Sequence, residues 1–409
     1  MKAKVITIAT ATAIAITAAG CGSKGEAPSG PETGTLRIGA SVSLTGKLAR
    51  EGILTKEGYE VCKKVVNDKG GVPVGGKKLL LDIQYQDDTS APDTAGQLVD
   101  QFNDRGVKLI LGPYGSANTE SAAAVVERNK QVMVDSAGAD DKIFKKGYQR
   151  TFAVLSPATS YVSSMVQAVY DLASPRPTRV AFISADDGFS KTATQGGMAK
   201  ARELGLQIVG EEYVPNGTSD VSSALTKIKP KAAEVIFGSV HLVEGVAIIK
   251  QAGELGVVPT GGFAETVAPP TPDFVQTLGP AAEGVLGSTQ WTPKTAGTDK
   301  WFGSAADYAT TYGAQFGNKK PEYHNAEATA ACLALVLAAE KANSTEPDQI
   351  RTALSTLDEP SFFGPLKFTA EGQNVTKKMG VIQIQGGKAV AVWPADSSEA
   401  PLKWPGTKR

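Results

Sequence analysis

Short apolar runs alternate with longer amphipathic stretches along most of the chain. Leu36–Leu44 and Leu79–Gln84 have the length and composition of strands, and a helical pattern follows each of them. The first of these helices is predicted over about Glu51–Asp68. Repeated strand and helix alternation of this kind predicts an α/β fold with a doubly wound parallel sheet.

The stretch Leu109–Ala139 shows this pattern most clearly. Leu109–Leu111 is an apolar run closed by a glycine and a proline, as expected for a buried parallel strand. Ser116 precedes the helical pattern Ala117–Arg128, so its hydroxyl is predicted to cap that helix. A helix start at the carboxyl end of a strand suits a carboxylate or phosphate ligand.

A second series of the same kind begins after residue 152. Its strands are predicted at Arg179–Ser184, Leu206–Val209 and Val235–Phe237, with helical patterns between them. The runs around Gly284–Gln290 and Phe362–Val375 lack a clear helical partner and are interpreted as crossings between two units, in addition to the first crossing between the series. The pattern therefore predicts two similar α/β lobes.

The first residues have the pattern of an export signal. Basic residues precede the apolar run Val5–Ala19, and small residues lead directly to Cys21. This arrangement resembles a bacterial lipoprotein signal, which implies a lipid on Cys21 and a flexible tether up to Gly34. The alternatives are a plain signal peptide with an incidental cysteine and a short membrane anchor. We expect an exported protein, anchored by lipid at the outer face of the cytoplasmic membrane or in the periplasm.

Composition narrows the class of protein further. At 409 residues, the chain exceeds the usual size of a single core, which agrees with two lobes. The 42 basic residues equal the 42 acidic residues, which argues against a nucleic-acid partner held by an overall basic field. Nothing in the sequence requires an oligomer, and we expect a monomer.

The residues that carry most enzyme chemistry are scarce. The chain has two histidines, His241 and His324, with no metal-ligand spacing and no nucleophile-elbow pattern. We therefore expect neither catalysis nor a cofactor or metal. Besides Cys21, the cysteines are Cys62 and Cys332, each on the apolar face of a helical pattern. A disulfide between them and two separate buried thiols remain open alternatives.

Several motifs resemble one known family. They are the strand ending in LTG, NDKGGV at Asn67–Val72, YQDDTS at Tyr85–Ser90 and the LGPYGSANT turn. Together they resemble type I periplasmic binding proteins, and within them the leucine/isoleucine/valine-binding receptors of ABC transporters, in a lipoprotein form. The resemblance covers about Leu36–Val392. It implies two Rossmann-like lobes with parallel-sheet cores, joined by three hinge crossings that close around a ligand.

This resemblance also implies domain boundaries. The signal peptide would be 1–20 and the tether 21–34. The first lobe would comprise 35–156 plus 288–362, the second lobe 157–287 plus 363–395, and a C-terminal tail 396–409.

The resemblance assigns binding roles to residues that match the family pattern. Ser116 would hydrogen-bond the carboxylate of an amino acid, and the small-residue run Ala137, Gly138 and Ala139 would contribute backbone groups. Glu265, in GGFAET, would accept the ligand ammonium, while a solvated loop carboxylate is the alternative. Many relatives have threonine at the position of Ala139, so one hydroxyl contact is missing here.

Aromatic candidates have alternatives of their own. Phe189 is predicted as a ligand platform, with surface or core packing as the alternative. Tyr114 is expected to face the cleft or to pack on its turn, and His241 to contact the ligand or to lie in a loop. Trp291 is expected either to line the cleft or to pack at the hinge.

The resemblance thus predicts a solute receptor that takes a small amino acid or similar ligand and delivers it to an ABC transporter permease. Alternatives are the same fold binding a urea or amide, a purine or an aromatic carboxylate, or a sensory ligand-binding module.

Overall fold

Two sheets covered by helices form two lobes in the computed structural model, which describes residues 33–405. Strands in the middle of both sheets, such as Leu109–Leu111 and Val235–Ser239, are buried along their whole length. Parallel strands covered on both faces require such continuous apolar runs. The predicted α/β class with two lobes is therefore confirmed. The predicted signal peptide and Cys21 lie outside the described residues.

The first sheet is built from the first part of the chain. Its strands are β1 (Thr33–Val42), β2 (Val72–Val74), β3 (Lys77–Asp87), β4 (Leu109–Leu111), β5 (Val132–Asp135) and β6 (Thr151–Ala153). Their spatial order is β2-β3-β1-β4-β5-β6. Neighbouring strands are parallel except β2 and β3, which pair antiparallel at one edge.

The second sheet begins with β7 (Arg179–Ala185), β8 (Gln207–Val214), β9 (Val235–Ser239), β10 (Phe263–Glu265) and β11 (Leu286–Thr289). Two short antiparallel pairs follow, β12 (Thr298–Asp299) with β13 (Gly303–Ser304) and β14 (Asp358–Glu359) with β15 (Leu366–Lys367). The chain then returns to the second sheet with β16 (Gly380–Gln385) and β17 (Lys388–Trp393). The spatial order is β17-β16-β11-β10-β9-β7-β8, and β16 and β17 are its antiparallel strands.

Helices cover both sheets. Within residues 33–405 they are α1 (Ala49–Asp68), α2 (Pro92–Asp104), α3 (Ser116–Arg128), α4 (Asp141–Phe144), α5 (Thr159–Leu172), α6 (Gly188–Glu203), α7 (Ser222–Ile228), α8 (Leu242–Leu255), α9 (Pro272–Leu278), α10 (Ala305–Gln315), α11 (Tyr323–Ala342) and α12 (Pro347–Ser355). Among these, none is long and apolar enough to cross a membrane.

The helix α11 is the most deeply buried helix of the first lobe. Its residues are buried almost without interruption from Tyr323 to Ala339, and it packs along α1. A disulfide between Cys62 of α1 and Cys332 of α11 joins the two helices across 270 positions of sequence. Of the two alternatives left open by the sequence, the structure has the disulfide.

Three crossings connect the lobes, and hydrogen bonds join them to one another. Ser156 of the first crossing accepts from the side-chain amide of Gln290 in the second, and its hydroxyl donates to the backbone carbonyl of Lys377 in the third. The Nζ of Lys377 in turn donates to the backbone carbonyl of Gln290. The predicted three crossings are thus present as one hydrogen-bonded hinge.

Packing suggests different bounds for the third crossing and the tail. Phe363 and Phe368 belong to the first core, so we place the end of the first lobe after residue 368 rather than at 362. Leu402 and Trp404 pack against the second core, within the segment predicted as a tail at 396–409. We therefore assign that segment to the second lobe as far as residue 405.

Candidate functional site

A cavity of about 200 Å³ lies between the lobes, where the carboxyl ends of strands from both sheets meet. The first lobe lines it through the loops after β1, β3, β4 and β5 and through α11, and the second lobe through α5 and the loops after β7, β8, β9 and β10. This is where ligands bind in open α/β sheets. Its volume is below the roughly 300–1,000 Å³ of sites for drug-sized ligands, so it suits a small solute.

The start of α3 forms one wall of the cavity, although Ser116 does not cap it. Gly115 is the residue before the helix and has φ of +89°, a conformation that glycine adopts without strain. Ser116 is the first helical residue, and its hydroxyl accepts a hydrogen bond from the backbone N–H of Asp140 at 3.1 Å. The predicted capping role was wrong because the turn ends one residue earlier. Ser116 and Tyr114 nevertheless line the cavity, and their binding roles stay predictions.

The small-residue run after β5 is held mainly by a buried carboxylate. Asp135 accepts hydrogen bonds from the backbone N–H groups of Ala137 and Gly138, at 3.2 and 3.0 Å. Burial raises the pKa of Asp135 to about 6, despite these hydrogen bonds. Ala137 and Ala139 line the cavity, whereas Gly138 lies behind them against Thr119. Two of the three residues proposed for backbone contact, Ala137 and Gly138, therefore already have their N–H groups bound to Asp135.

The second lobe presents an aromatic wall. The ring of Phe189 packs edge-on against Tyr161 at 5.0 Å and lies 5.6 Å from the ring of His241. His241 Nε2 is 3.2 Å from the carboxylate of Asp187, which also caps α6 by accepting from the N–H of Ser190. Burial lowers the pKa of His241, but the hydrogen bond and charge of Asp187 outweigh it and raise the value. Phe189 and His241 thus line the cavity, and their contact with a ligand stays a prediction.

Glu265 lies in a different place from the one its predicted role requires. It ends β10, is fully buried, and its carboxyl oxygens hydrogen-bond to no residue within 33–405. Its side chain points at α8, where a Cβ added to Gly245 would come within 2.6 Å of Oε2. Val267, two residues further on, lines the cavity instead. The ammonium role of Glu265 remains an untested prediction that its position does not support.

Trp291 takes the second of its two predicted positions. Its indole N–H donates to the backbone carbonyl of Phe362 at 3.1 Å, and its ring packs edge-on against Tyr308 at 5.5 Å. The side chain therefore stabilises the first lobe beside the second crossing, outside the cavity lining.

Residues that the sequence did not single out complete the lining. The most important are Glu327 and Tyr323 of α11 and Tyr161 of α5. Glu327 is 2% exposed, and its Oε2 has no hydrogen-bond partner in the part of the chain that the structure describes. A signal was present, because Glu327 is the one charged residue in the mostly apolar run Ala326–Ala339. Such a residue is rarely buried without a reason.

Two contacts bridge the lobes at the edges of the cavity. Arg50, at the start of α1, binds Asp273 of α9 in the second lobe and also Glu322 in the first, at 2.9 Å. On the other side, the hydroxyl of Thr192 in α6 donates to Asp140 at 2.8 Å. These contacts describe a cleft whose lobes touch around a central space, the geometry of a two-lobed clamp.

A two-lobed clamp of this kind defines a class of solute-binding proteins, and comparison with known proteins gives the family. The sequence model of the periplasmic binding protein family matches residues 35–389. The chain therefore belongs to that family. Since this family binds solutes for transport, the chain is a binding protein and not an enzyme.

Individual relatives are distant but extend over most of the chain. The Leu/Ile/Val-binding protein homolog 8 of Brucella abortus is 25% identical over 386 residues, covering 90% of this chain and 93% of the relative. The structure of LivJ from Streptococcus pneumoniae in complex with isoleucine has a TM-score of 0.75 at 21% identity, covering 88% and 100%. A solute-binding protein from Rhodopseudomonas palustris in complex with 3,4-dihydroxybenzoic acid has a TM-score of 0.73 at 19% identity, covering 90% and 99%.

Proposed function

We propose that this protein captures a small amino acid or amino-acid-like solute in the cavity between its lobes and delivers it to the permease of an ABC transporter. Lipid on Cys21 would hold it at the membrane surface. The closed protein, with its ligand, is the form that the permease would recognise.

One observation carries this proposal: loops from both sheets line one small cavity with polar groups and aromatic rings. The hydroxyl of Ser116 and the start of α3 offer hydrogen-bond donors to a carboxylate. Lys47, in the loop after β1, adds a positive charge to the same lining. From the opposite lobe, Phe189 supplies apolar surface and His241 an imidazole that pairs with Asp187.

Ligand binding would stabilise the closed arrangement through both walls. The contacts of Arg50 with Asp273 and of Thr192 with Asp140 form only when the lobes are close together. A solute that touches both lobes binds the closed form more tightly, and shifts the population in proportion to that difference.

Other ligand classes fit the same scaffold less completely. The relative with bound 3,4-dihydroxybenzoic acid, together with the aromatic wall here, supports an aromatic carboxylate as the second candidate. Ureas, amides and purines, and a sensory role without transport, are the further alternatives.

The test is a thermal-shift screen of the purified protein with amino acids, amides, urea, purines and aromatic acids. A true ligand at a hundred times its Kd stabilises the protein by about 2.7 kcal/mol. We expect amino acids among the ligands. A screen in which only aromatic acids or purines stabilise the protein would contradict the amino-acid class, and one without any stabilising compound would contradict solute capture in this cavity.

Transport and anchoring need separate measurements. Mass spectrometry of the membrane-extracted protein should find diacylglycerol at Cys21, and Cys21→Ser should release the protein from membranes. Deleting the gene should abolish high-affinity uptake of the ligand identified in the screen. Unchanged uptake with intact signalling would favour the sensory role.

A further inference from the structure

Glu327 is the acidic residue whose environment in the cavity is least complete. It projects from α11, is 2% exposed and lines the cavity, and its Oε2 finds no hydrogen-bond partner among residues 33–405. A buried carboxyl without a partner costs stability, since burial removes its hydration without replacing it. No hydrogen bond from residues 33–405 offsets this cost at Oε2, which points to a partner that arrives with the ligand.

Three tyrosines line the same small cavity as this carboxyl. Tyr114 and Tyr323 belong to the first lobe and Tyr161 to the second, all three are at most 7% exposed, and all line the same cavity. Burial raises the pKa of each phenol far above its usual range, and the charge of Glu327 raises each further. These shifts agree with the geometry, in which the three tyrosines and the Glu327 carboxyl line one cavity of about 200 Å³.

The charged groups that act on Glu327 from neighbouring elements do not fully compensate its negative charge. Asp135, at the end of β5, adds negative charge and raises the pKa of Glu327, after burial itself. Lys377, from the third crossing, opposes this, but its Nζ already donates to the carbonyl of Gln290, and burial lowers the pKa of Lys377 to about 7. Its charge is thus only partly available to Glu327.

A carboxylate beside aromatic rings has the chemistry of a cation site. Ring faces attract ammonium groups, including methylated ones, and a buried carboxylate adds a direct charge interaction. Because Tyr161 comes from the opposite lobe, a cation bound here touches both lobes. Its binding would therefore favour closure as well as supply affinity.

We propose that Glu327, with Tyr114, Tyr161 and Tyr323, is the subsite for a positively charged nitrogen, and that the ligand is a small zwitterion with a primary or methylated ammonium. This inference rests on the proposed function and specifies its ligand class. It transfers to the first lobe the role that the sequence assigned to Glu265.

The experiment is calorimetric titration of the wild-type protein, Glu327→Gln and the matched control Glu265→Gln. The probes are the protein amino acids, glycine betaine and choline, together with the deaminated acid of each amino acid that binds, such as 4-methylpentanoate for leucine. We expect binders to carry an ammonium and their deaminated acids to bind at least about a hundredfold more weakly. Glu327→Gln should weaken binding roughly 30- to 1,000-fold, and Glu265→Gln by less than about twofold.

The comparison of each amino acid with its deaminated acid uses only wild-type protein, so it decides the question even if Glu327→Gln does not fold. Equal binding of the two acids would overturn the ammonium subsite. So would Glu327→Gln with wild-type affinity, or a loss confined to Glu265→Gln. Binders without a positive charge, such as aromatic acids, would overturn the subsite while leaving solute capture intact.

Discussion

Two buried glutamates, one in each lobe, show what makes a carboxyl part of a site. Glu265 and Glu327 are both buried and both lack a hydrogen-bond partner for Oε2 within residues 33–405. Burial raises the pKa of each well above its usual range. They differ in what they face: α8 at Gly245 for Glu265, and the cavity with three tyrosines for Glu327. Burial and a shifted pKa therefore do not identify a binding residue unless a ligand also has access to it.

The two lobes also differ in the groups that they present to the cavity. The first lobe carries Glu327 on α11, a helix fixed to α1 by the disulfide. The second lobe contributes aromatic rings and Val267 at the position nearest to Glu265 in the lining. We infer that the first lobe provides the charged contacts from a framework held by the disulfide, and that the second lobe covers the ligand.

Removing the disulfide between α1 and α11 should have the largest effect on stability. Cys62→Ser with Cys332→Ser should lower the free energy of unfolding by about 2–5 kcal/mol, because the disulfide restricts a long loop of the unfolded chain. Urea denaturation measures this, and wild-type protein in reductant is the control. A loss below about 1 kcal/mol would show that the first lobe does not depend on the disulfide.

Between pH 5 and pH 8, the free energy of unfolding of Glu265→Gln should rise relative to that of the wild-type protein by about 1–3 kcal/mol. The folded pKa of Glu265 lies above its unfolded value, so above about pH 4.3 the unfolded state loses its proton first. The wild-type protein then becomes less stable as pH rises towards the folded pKa, and Glu265→Gln removes this decline. Denaturation of both proteins from pH 5 to pH 8 measures the difference.

The same series with Glu327→Gln sharpens the comparison. Without ligand, both variants should gain stability relative to wild type as pH rises. With a saturating ammonium ligand, only the difference due to Glu327 should shrink, because the ligand becomes its partner. If the ligand reduced the Glu265 difference instead, the assignment of the two glutamates would be reversed.

Tyr161→Leu should weaken binding of an ammonium ligand by about 0.5–2 kcal/mol, the range of a cation–π contact. Tyr161→Phe is the matched control, since it keeps the ring and removes only the hydroxyl that accepts a hydrogen bond from Gln290 at 2.9 Å. Calorimetry should find Tyr161→Phe closer to wild type than Tyr161→Leu. Equal losses in the two variants would assign the effect to the hinge contact.

Asp273→Asn should have the smallest effect. It removes the charge that Arg50 meets across the cleft but keeps the pair of Arg50 with Glu322. A partly exposed ion pair contributes about 0.2–1 kcal/mol, so affinity should fall by a factor of about 1.4 to 5. Asp100→Asn, which breaks the exposed pair with Arg128 inside the first lobe, is the control and should leave affinity unchanged. Equal losses in both variants would contradict a role in closure.

The sequence predicted the architecture well because strands and helices leave periodic signals. Leu109–Leu111 was predicted with the bounds that the structure has, and α3 begins one residue before the predicted Ala117. The site was predicted only in part, since it depends on where each loop turns after its strand. β10 ends at Glu265, and the following turn brings Val267 to the cavity.

Glu327 illustrates a different limit. A helical pattern was recognised at Cys332, but only the packing of α11 against the cleft shows which of its residues reaches the cavity. The pairing of Cys62 with Cys332 likewise required the distance between α1 and α11, which periodicity does not contain.

The most direct test is a crystal structure of the wild-type protein with an ammonium-bearing ligand from the titrations. We predict its nitrogen at roughly 2.7–3.2 Å from a carboxyl oxygen of Glu327, among the rings of Tyr114, Tyr161 and Tyr323. A ligand nitrogen bound instead to Glu265 or to another acidic group of the second lobe would contradict the account.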